Sequence, residues 1–351
     1  MPSPPSRGLR VEPWGRLPDG RQVHRYVLRN AQDAEVVISD LGASLLSWHA
    51  PDAHGHFDEV LLGHADATAY VEQHFFMGGV VGRWANRIRD GRFRLDGVNY
   101  QLDCNDHGHH LHGGDVGFHR AVWQVALDGD GLLLRWRSPD GEGGYPGNLV
   151  VELRYVLLDD GTLSLDFRAW SDRPTPLNLT AHPYFNLGGR AGELADHLLR
   201  IDADVYLPVD AEMIPSAKLP VVGSPFDFRD PAFIGARLHA NDPQLSLAAG
   251  FDHCYGLSEA SGHVREVAQV RHALSGRRLR VSTDQPGLQF YTGQHLAGAP
   301  DRSGGEFAAY AGFCLEAQAF PDQINRTDAE RCVLRPGSIY RQHTSYCLDT
   351  D

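Results

Sequence analysis

Short runs of alternating apolar and polar residues, separated by Asp-Gly turns, recur along this 351-residue chain. Apolar residues occupy every second position from Leu149 to Leu157 and again from Leu163 to Phe167, on either side of Asp159-Asp160-Gly161. The same alternation surrounds Asp96-Gly97. A period of two is typical of a half-buried strand, and an Asp-Gly pair between two such strands predicts a hairpin.

Helical spacing is missing from every long segment, and the 38 glycines and 21 prolines suit many tight connections. No fixed-period repeat or low-complexity linker divides the sequence. We therefore predict an all-β fold in which two large sheets pack on each other. Residues 13–351 are expected to form a single domain, preceded by a loose segment, rich in Pro, Ser and Arg, over residues 1–12.

The charge and the cysteines narrow the function classes. A formal net charge of −13 argues against a nucleic-acid or anionic-membrane partner, because both require a basic face. The sequence contains no apolar window of about 18 residues, so no membrane span is predicted. The N-terminus lacks the apolar region of a secretory signal. The cysteines are odd in number and form no C-x-x-C, which predicts reduced thiols in a cytoplasmic protein. They are Cys104, Cys254, Cys314, Cys332 and Cys347.

Two titratable residues lie within apolar, aromatic runs: His182 in LNLTAHPYFNL (Leu177 to Leu187) and Glu316 in GFCLEAQAFPDQIN (Gly312 to Asn325). Burial is expected to move both pKa values toward neutrality. One group then holds a proton while the other accepts one, as general acid–base catalysis requires. The alternative is a structural histidine and a buried glutamate held by hydrogen bonds. Because a buried Glu is uncommon unless it is paired or functional, we favour the functional interpretation.

These two segments resemble the histidine and glutamate motifs of the aldose 1-epimerase (galactose mutarotase) family, and the resemblance covers most of the chain. It implies a large antiparallel β-sandwich, the galactose mutarotase-like supersandwich, with a sugar site in a cleft across one curved sheet. The other matching segments, in family order, are GRWANRIRDGRF (Gly82 to Phe93), HLHGGDVGF (His110 to Phe118), GYPGNL (Gly144 to Leu149), SPFDFR (Ser224 to Arg229), FDHCY (Phe251 to Tyr255), PGLQFYTG (Pro286 to Gly293) and LRPGSIY (Leu334 to Tyr340).

The resemblance also implies roles for individual residues. Glu316 would be the base at the anomeric hydroxyl and His182 the acid at the ring oxygen, with His112 hydrogen-bonding near that oxygen. The ring would open and close again with no cofactor, on a free monosaccharide such as galactose or glucose. Residues implied in substrate binding are Asn86 and Arg87 at sugar hydroxyls, Asp252 gripping two adjacent hydroxyls, and Gln289 near the catalytic pair. Tyr184 and Phe290 would offer apolar faces to the C–H patches of a pyranose, although each, taken singly, is more typical of a core residue.

Several alternatives stay open at this point. A sugar-phosphate epimerase would need a cationic pocket, which arginines near Arg87 would supply, and a glycosidase would use Glu316 and Asp252 as its carboxylate pair. A sugar-binding protein without activity is another class, although both His182 and Glu316 remain. The His-rich stretch Asp106 to His119 invites a zinc interpretation, but we expect no metal. The chain is expected to be a monomer or a homodimer.

Overall fold

The structure, a computed structural model, describes residues 8–189, 193–258 and 262–350. Antiparallel strands dominate it, as the alternating pattern predicts. Both predicted hairpins are confirmed, because Arg92–Leu95 pairs with Val98–Gln101 and Leu149–Leu157 pairs with Thr162–Ser171. In each of them the Asp-Gly pair lies in the turn between the two strands.

The strands are numbered in chain order over the described residues. The first half contains β1 (Gly8–Arg16), β2 (Gln22–Arg29), β3 (Glu35–Ser39), β4 (Leu45–Pro51), β5 (Phe57–Glu59), β6 (Val80–Val81), β7 (Arg87–Ile88), β8 (Arg92–Leu95), β9 (Val98–Gln101), β10 (His110–Leu111), β11 (Gln124–Asp128), β12 (Gly131–Ser138), β13 (Leu149–Leu157) and β14 (Thr162–Ser171). The second half contains β15 (Thr175–Pro176), β16 (Thr180–Ala181), β17 (His197–Ile201), β18 (Ala203–Leu207), β19 (Leu219–Pro220), β20 (Ala232–Phe233), β21 (Asp252–Leu257), β22 (Arg265–His272), β23 (Arg277–Thr283), β24 (Gly287–Tyr291), β25 (Cys314–Gln318), β26 (Val333–Leu334) and β27 (Tyr340–Thr350).

Helices are short, as the sequence predicts. The α-helices are α1 (Ala67–Glu72), α2 (Ile234–Leu238) and α3 (Pro243–Ala248). Short 3-10 turns occupy Arg89–Gly91, Phe118–Arg120, Glu142–Gly144, Leu194–Asp196, Gln294–Leu296, Gln323–Asn325 and Ala329–Cys332. Within the described ranges, none of the helices has the length and apolar character needed to span a membrane.

Three large sheets, rather than the expected two, surround the core of the described chain. A nine-stranded sheet runs in the order β11-β12-β13-β14-β27-β23-β22-β17-β20, and two five-stranded sheets run β1-β2-β3-β4-β5 and β19-β18-β21-β24-β25. Isolated bridges from Leu61 to Phe185 and from Phe185 to Phe313 connect the two smaller sheets. These single bridges are too short to join the two five-stranded sheets into one sheet.

One apolar cluster fills the space between the three sheets. It contains Ile38 from the first five-stranded sheet, Leu153 and Phe167 from the nine-stranded sheet, and Phe290 and Leu315 from the second. These side chains are almost completely removed from water. Burial of this area is the main stabilising contribution, because apolar surface is stabilised by roughly 25 cal/mol for each Å² removed from water.

Two predictions outside the core have clear outcomes. The loose segment predicted over residues 1–12 is wrong for residues 8–12, which lie in β1 and pair with β2, where Glu12 also accepts a 2.7 Å hydrogen bond from Arg25. Residues 1–7 lie outside the described residues. The prediction of unpaired thiols is confirmed, since all five cysteines are free.

Candidate active site

The floor of the candidate site is one face of the second five-stranded sheet. In its register, Asp252 pairs with Tyr291 and Tyr291 with Cys314, while Gln289 pairs with both Cys254 and Glu316. Residues directly opposite one another, and residues two apart on one strand, share a face of a sheet. Strand alternation therefore brings six side chains to one face: Asp252, Cys254, Gln289, Tyr291, Cys314 and Glu316.

A cleft of about 500 Å³ lies over part of this face. Among the residues predicted for the site, six line the cleft together with Glu316: Asn86, Arg87, His112, His182, Tyr184 and Asp252. These residues come from distant parts of the chain, and the fold gathers them in one place. The size of the cleft and its mixture of aromatic and polar side chains are typical of a small-molecule site.

His182 lies directly over Glu316. Its backbone is held on both sides, because its N–H donates to Gly79 at 3.0 Å and its carbonyl accepts from Gly78 at 2.9 Å. Nε2 of the ring is 3.5 Å from Oε1 of Glu316, and Nδ1 is 3.5 Å from Sγ of Cys314. The side chains of His182 and Glu316 are 5% and 2% exposed. The two side chains are thus close enough to act on neighbouring atoms of one small ligand, and both are shielded from bulk water.

His112 approaches His182 from a loop, with the ring centroids 5.4 Å apart. The backbone N–H of Asn86 donates to Nδ1 of His112 at 3.2 Å, and the Asn86 carbonyl accepts from the His112 N–H at 3.3 Å. Because Nδ1 accepts a hydrogen bond, the single proton of the neutral ring is on Nε2. His112 is therefore fixed as a hydrogen-bond donor through Nε2.

The loop that carries His112 depends on unusual backbone conformations. Asn86 and His112 both have positive φ, 65° and 52°, a region that Asn tolerates better than most residues. Gly113 follows at φ +85°, and a Cβ there would collide with the carbonyl oxygen of Gly82. The glycine after His112 thus allows the two loops to approach closely enough for the Asn86–His112 contacts.

Burial shifts the pKa values of Glu316 and His182 in opposite directions. Loss of solvation raises the pKa of Glu316 well above its usual value, and the nearby charge of Asp252 raises it further. The same loss of solvation lowers the pKa of His182 to about 4. The expectation that both values move toward neutrality is correct in direction for Glu316 and wrong for His182, because burial disfavours the charged imidazolium.

The pKa of His112 is also lowered well below its usual value, first by burial and then by the charges of His182 and Arg87. Its neutral ring agrees with the donor role set by Asn86. Burial likewise raises the pKa of Asp252, although Arg87 and the hydrogen bond from Gln289 act against this shift. The cleft therefore favours uncharged side chains in general.

The residues expected to hold sugar hydroxyls are themselves held by hydrogen bonds. Nε of Arg87 donates to Asp106 at 2.7 Å, which leaves the terminal nitrogens of the guanidinium for a ligand. Nε2 of Gln289 donates to Oδ1 of Asp252 at 2.6 Å. Gln289 shares the sheet face of Asp252 and Glu316, on the strand between theirs, so it orients Asp252 and lies beside Glu316.

The two aromatic residues expected to face the sugar have different positions. Tyr184 lines the cleft, its ring centroid 5.0 Å from that of His182, and its hydroxyl donates to the Phe75 carbonyl at 2.9 Å. Phe290 is on the opposite face of β24 and packs in the core. Phe290 is therefore a core residue, the alternative that the sequence favours for it, because neighbours on a strand point to opposite faces.

Sequence reasoning missed Phe76. This residue belongs to the loop wall of the cleft, which Phe76, Asn86 and His112 form opposite the sheet. Its ring centroid is 4.5 Å from that of His112, 4.7 Å from that of His119 and 6.1 Å from that of His182. Its φ is +55°, which is rare for a bulky residue. The only signal in the sequence is a pair of phenylalanines before Gly78-Gly79, and nothing local links that pair to distant histidines.

The His-rich stretch does not form a metal site in the described chain. His107 is exposed, His109 accepts a hydrogen bond from the Asp90 amide, and Nε2 of His110 bonds the Tyr145 hydroxyl at 2.7 Å. The group with ligand atoms close enough for a metal, within 4.8 Å of one another, is His112, His182 and Glu316. Coordination through Nε2 of His112 would place the ring proton on Nδ1, against the Asn86 N–H, so the tautomer opposes metal binding there.

Comparisons with known proteins agree with this geometry. The sequence model of the family described as Aldose 1-epimerase matches residues 24–347. Galactose mutarotase of Rattus norvegicus is 41% identical over 337 residues, which cover 95% of this chain and 96% of that protein. Aldose 1-epimerase of Escherichia coli (strain K12) is 39% identical over 334 residues, covering 94% and 96%.

Solved structures show the same likeness. Galactose 1-epimerase from Lactobacillus acidophilus NCFM has a TM-score of 0.86 and 30% identity, covering 98% of this chain and 99% of that one. A GalM/aldose epimerase homologue from C. elegans has a TM-score of 0.84 and 25% identity, covering 92% and 97%. The similarity thus extends over nearly the whole fold and includes the segments that form the cleft.

Proposed function

The chain belongs to the aldose 1-epimerase family, and from this premise we propose that it interconverts the α and β anomers of a free aldose. Glu316 acts as the base at the anomeric hydroxyl and His182 as the acid at the ring oxygen. The observation that supports these roles best is the 3.5 Å approach of the two buried groups at the floor of the cleft. The enzyme is an isomerase, and its substrate is a monosaccharide.

The proposed reaction moves one proton in each direction. Glu316 takes the proton from the O1 hydroxyl while His182 gives a proton to the ring oxygen, and the bond from C1 to the ring oxygen breaks. The open-chain aldehyde rotates about the C1–C2 bond. As the ring closes on the other face, Glu316 returns its proton to O1 and His182 takes its proton back from the hydroxyl that becomes the ring oxygen, so the enzyme ends unchanged.

Burial of the pair supports this proton transfer. The reactive pair is Glu316 carboxylate with His182 imidazolium, and after ring opening both groups are neutral. A dry site disfavours the charged pair relative to the neutral pair, so once the charged pair has formed around the sugar, burial favours the proton transfers that open the ring. Each well-placed acid or base contributes roughly 10²–10⁴ in rate.

Unpartnered polar atoms mark where hydroxyls would bind. Oε2 of Glu316 and Oε1 of Gln289 are buried without a hydrogen-bond partner among the described residues. Leaving a buried acceptor unpaired costs about 1–3 kcal/mol. A sugar whose O1 hydroxyl donates to Glu316 would recover that energy, and the Nε2–H of His112 would donate to the ring oxygen.

Charge around the cleft favours a free sugar over a sugar phosphate. Arg87 is paired with Asp106, and Arg89 is paired with Asp210 and Glu212. Among the described residues that line the cleft, Arg87 is the only Lys or Arg side chain, and its pairing with Asp106 leaves little positive charge for a phosphate dianion. For a glycosidase, Glu316 and Asp252 would be the carboxylates, but that reaction gives the catalytic position of His182 no role.

The biological setting completes the proposal. Galactose and glucose are the sugars we propose as substrates, since relatives are named galactose mutarotase and galactose 1-epimerase. The five free thiols suit a reducing compartment, so we place the enzyme in the cytoplasm. We propose that it acts as a monomer, with the cleft formed by residues of one chain.

Polarimetry tests the proposal directly. Freshly dissolved α-galactose, α-glucose and glucose 6-phosphate are followed with and without the protein. Acceleration of the free sugars well above that of the phosphate is expected. A preference for the phosphate would support a sugar-phosphate epimerase, and folded protein that accelerates none of them would support a binding role.

A further inference from the structure

Asp252 is tied to the fold by the side chain of the next residue. The backbone N–H of Asp252 donates to Nδ1 of His253 at 3.1 Å, and Nε2 of the same ring is 3.2 Å from Oε1 of Gln244. His253 is completely buried on the core side of β21, where its ring packs on Phe226 with the centroids 4.7 Å apart. Because Nδ1 accepts, the ring proton is on Nε2 and is donated to Gln244.

Gln244 connects this ring to a second segment. Its Oε1 also accepts from the Val209 N–H at 2.7 Å, and its Nε2 donates to the Val209 carbonyl at 3.0 Å. The two bonds fix the amide orientation, because one atom must accept and the other must donate. Gln244 thus pairs with Val209 in the way that a neighbouring strand residue would.

These contacts join three pieces of the cleft wall. Asp252 is on β21, Val209 leads into the loop that brings Ala211 and Met213 to the cleft, and Gln244 is in α3. The C-terminal end of α3 continues the wall with Leu247, Ala248 and Ala249. His253 and Gln244 do not line the cleft in the described chain, so they act on a ligand only through the residues they hold.

We propose that His253 and Gln244 are positioning residues that hold Asp252 and the facing wall in the geometry that binds the sugar. This inference rests on the proposed function in that it takes Asp252 as a sugar-gripping carboxylate. His253 and Gln244 set how tightly the sugar is held and leave the proton transfers of Glu316 and His182 with the sugar unchanged. A lost contact should therefore raise KM and leave kcat nearly the same.

The test uses Gln244→Ala, which removes every contact of the amide, and His253→Phe, which keeps the ring volume and removes both hydrogen bonds. We expect KM for galactose to rise roughly tenfold, with kcat within about twofold of wild type. Gln244→Glu keeps the acceptor and loses the donor, so an intermediate rise is expected. Ser246→Ala, on the same helix but outside these contacts, is the matched control and should leave both constants unchanged.

A double-mutant cycle separates positioning from a general effect on the fold. In an Asp252→Asn background, Gln244→Ala should add little further loss of galactose affinity, because residues that act through one another are not additive. Galactose binding by calorimetry gives this readout even without turnover, and thermal unfolding checks that each variant is folded. If Gln244→Glu and Gln244→Ala leave KM and affinity unchanged, or if the losses add fully, the proposal is overturned. A wild type that binds galactose without turning it over contradicts the proposed function alone.

Discussion

The two walls of the cleft are built in different ways. The floor, from β21, β24 and β25, is regular sheet, and strand alternation alone brings Asp252, Gln289 and Glu316 to one face. The opposite wall is loop, where Phe76, Asn86 and His112 all have positive φ. The sheet carries the proposed base, Glu316, and the proposed hydroxyl-gripping carboxylate, Asp252, in a rigid frame. The loop wall provides a donor whose orientation depends on strained backbone and on hydrogen bonds between distant segments.

Removing the base on the sheet should have the largest effect. Glu316→Gln keeps the shape of the side chain but cannot take the O1 proton, so kcat should fall roughly 10²–10⁴-fold. Folding stability and galactose binding should stay near those of wild type, because a neutral group suits the buried position. Polarimetry and thermal unfolding check this, and substantial turnover by the variant would remove Glu316 from the role of base.

A pair of substitutions at Asn86 isolates the backbone contribution of the loop wall. Asn86→Gly and Asn86→Ala both lose the side chain, but only Gly accepts φ +65° without strain. The left-handed conformation costs Ala about 1 kcal/mol, which loosens the bond between the Asn86 amide and His112. We expect kcat/KM of the Ala variant to be roughly fivefold below that of the Gly variant. Equal values would show that His112 does not depend on this backbone.

Acid should destabilise the protein through its buried histidines. Burial lowers the pKa of His119 and His253 to about 3 and that of His182 to about 4. These folded values are below the unfolded value near 6.5, so the unfolded chain binds more protons between them. Stability is therefore fully present above about pH 6.5 and falls as the pH drops toward 3–4, by up to about 1.4 kcal/mol per pH unit for each histidine.

His119→Phe tests how much one of these histidines contributes to the pH dependence of the unfolding free energy. The ring packs on Phe76 and its Nδ1 has no hydrogen-bond partner among the described residues, so the variant should fold. Its unfolding free energy should depend less steeply on pH between about 6.5 and 4. Urea unfolding at several pH values measures the slope. The exposed His54→Asn is the control, and an identical slope for His119→Phe and wild type would contradict the account.

Removal of divalent metals should have the smallest effect. The Asn86 amide holds the proton of His112 on Nε2, which opposes coordination by the group that includes His182 and Glu316. Activity after EDTA dialysis should equal that of untreated enzyme. If EDTA abolished activity and added Zn²⁺ restored it, the Asn86 amide would not control the tautomer of His112.

The same contrast explains how far the sequence predicts the structure. Period-two patterns around Asp96-Gly97 and from Leu149 to Phe167 correctly predict hairpins, because strand alternation and turn chemistry are local. The division into three sheets is not local, since it depends on short bridges between distant segments such as Leu61 and Phe185.

For the site, residues within family-like motifs were the easier ones to anticipate, on strands and loops alike. Family-like motifs point to Glu316, His182 and Asp252, and all of them line the cleft. Phe76 and Gln244 carry no local signal, because their contacts arise only when loops from different parts of the chain meet. The lowered pKa of His182 also depends on how completely the fold buries it.

The central claim is that His182 and Glu316, whose nearest polar atoms are 3.5 Å apart, each exchange a proton with a sugar bound in the cleft. The most direct test is polarimetry of α-galactose with wild type and His182→Asn, at equal concentration and with folding checked by thermal unfolding. The account predicts rapid mutarotation by wild type and a loss of roughly a hundredfold or more in the variant. A variant that retains wild-type turnover would contradict it.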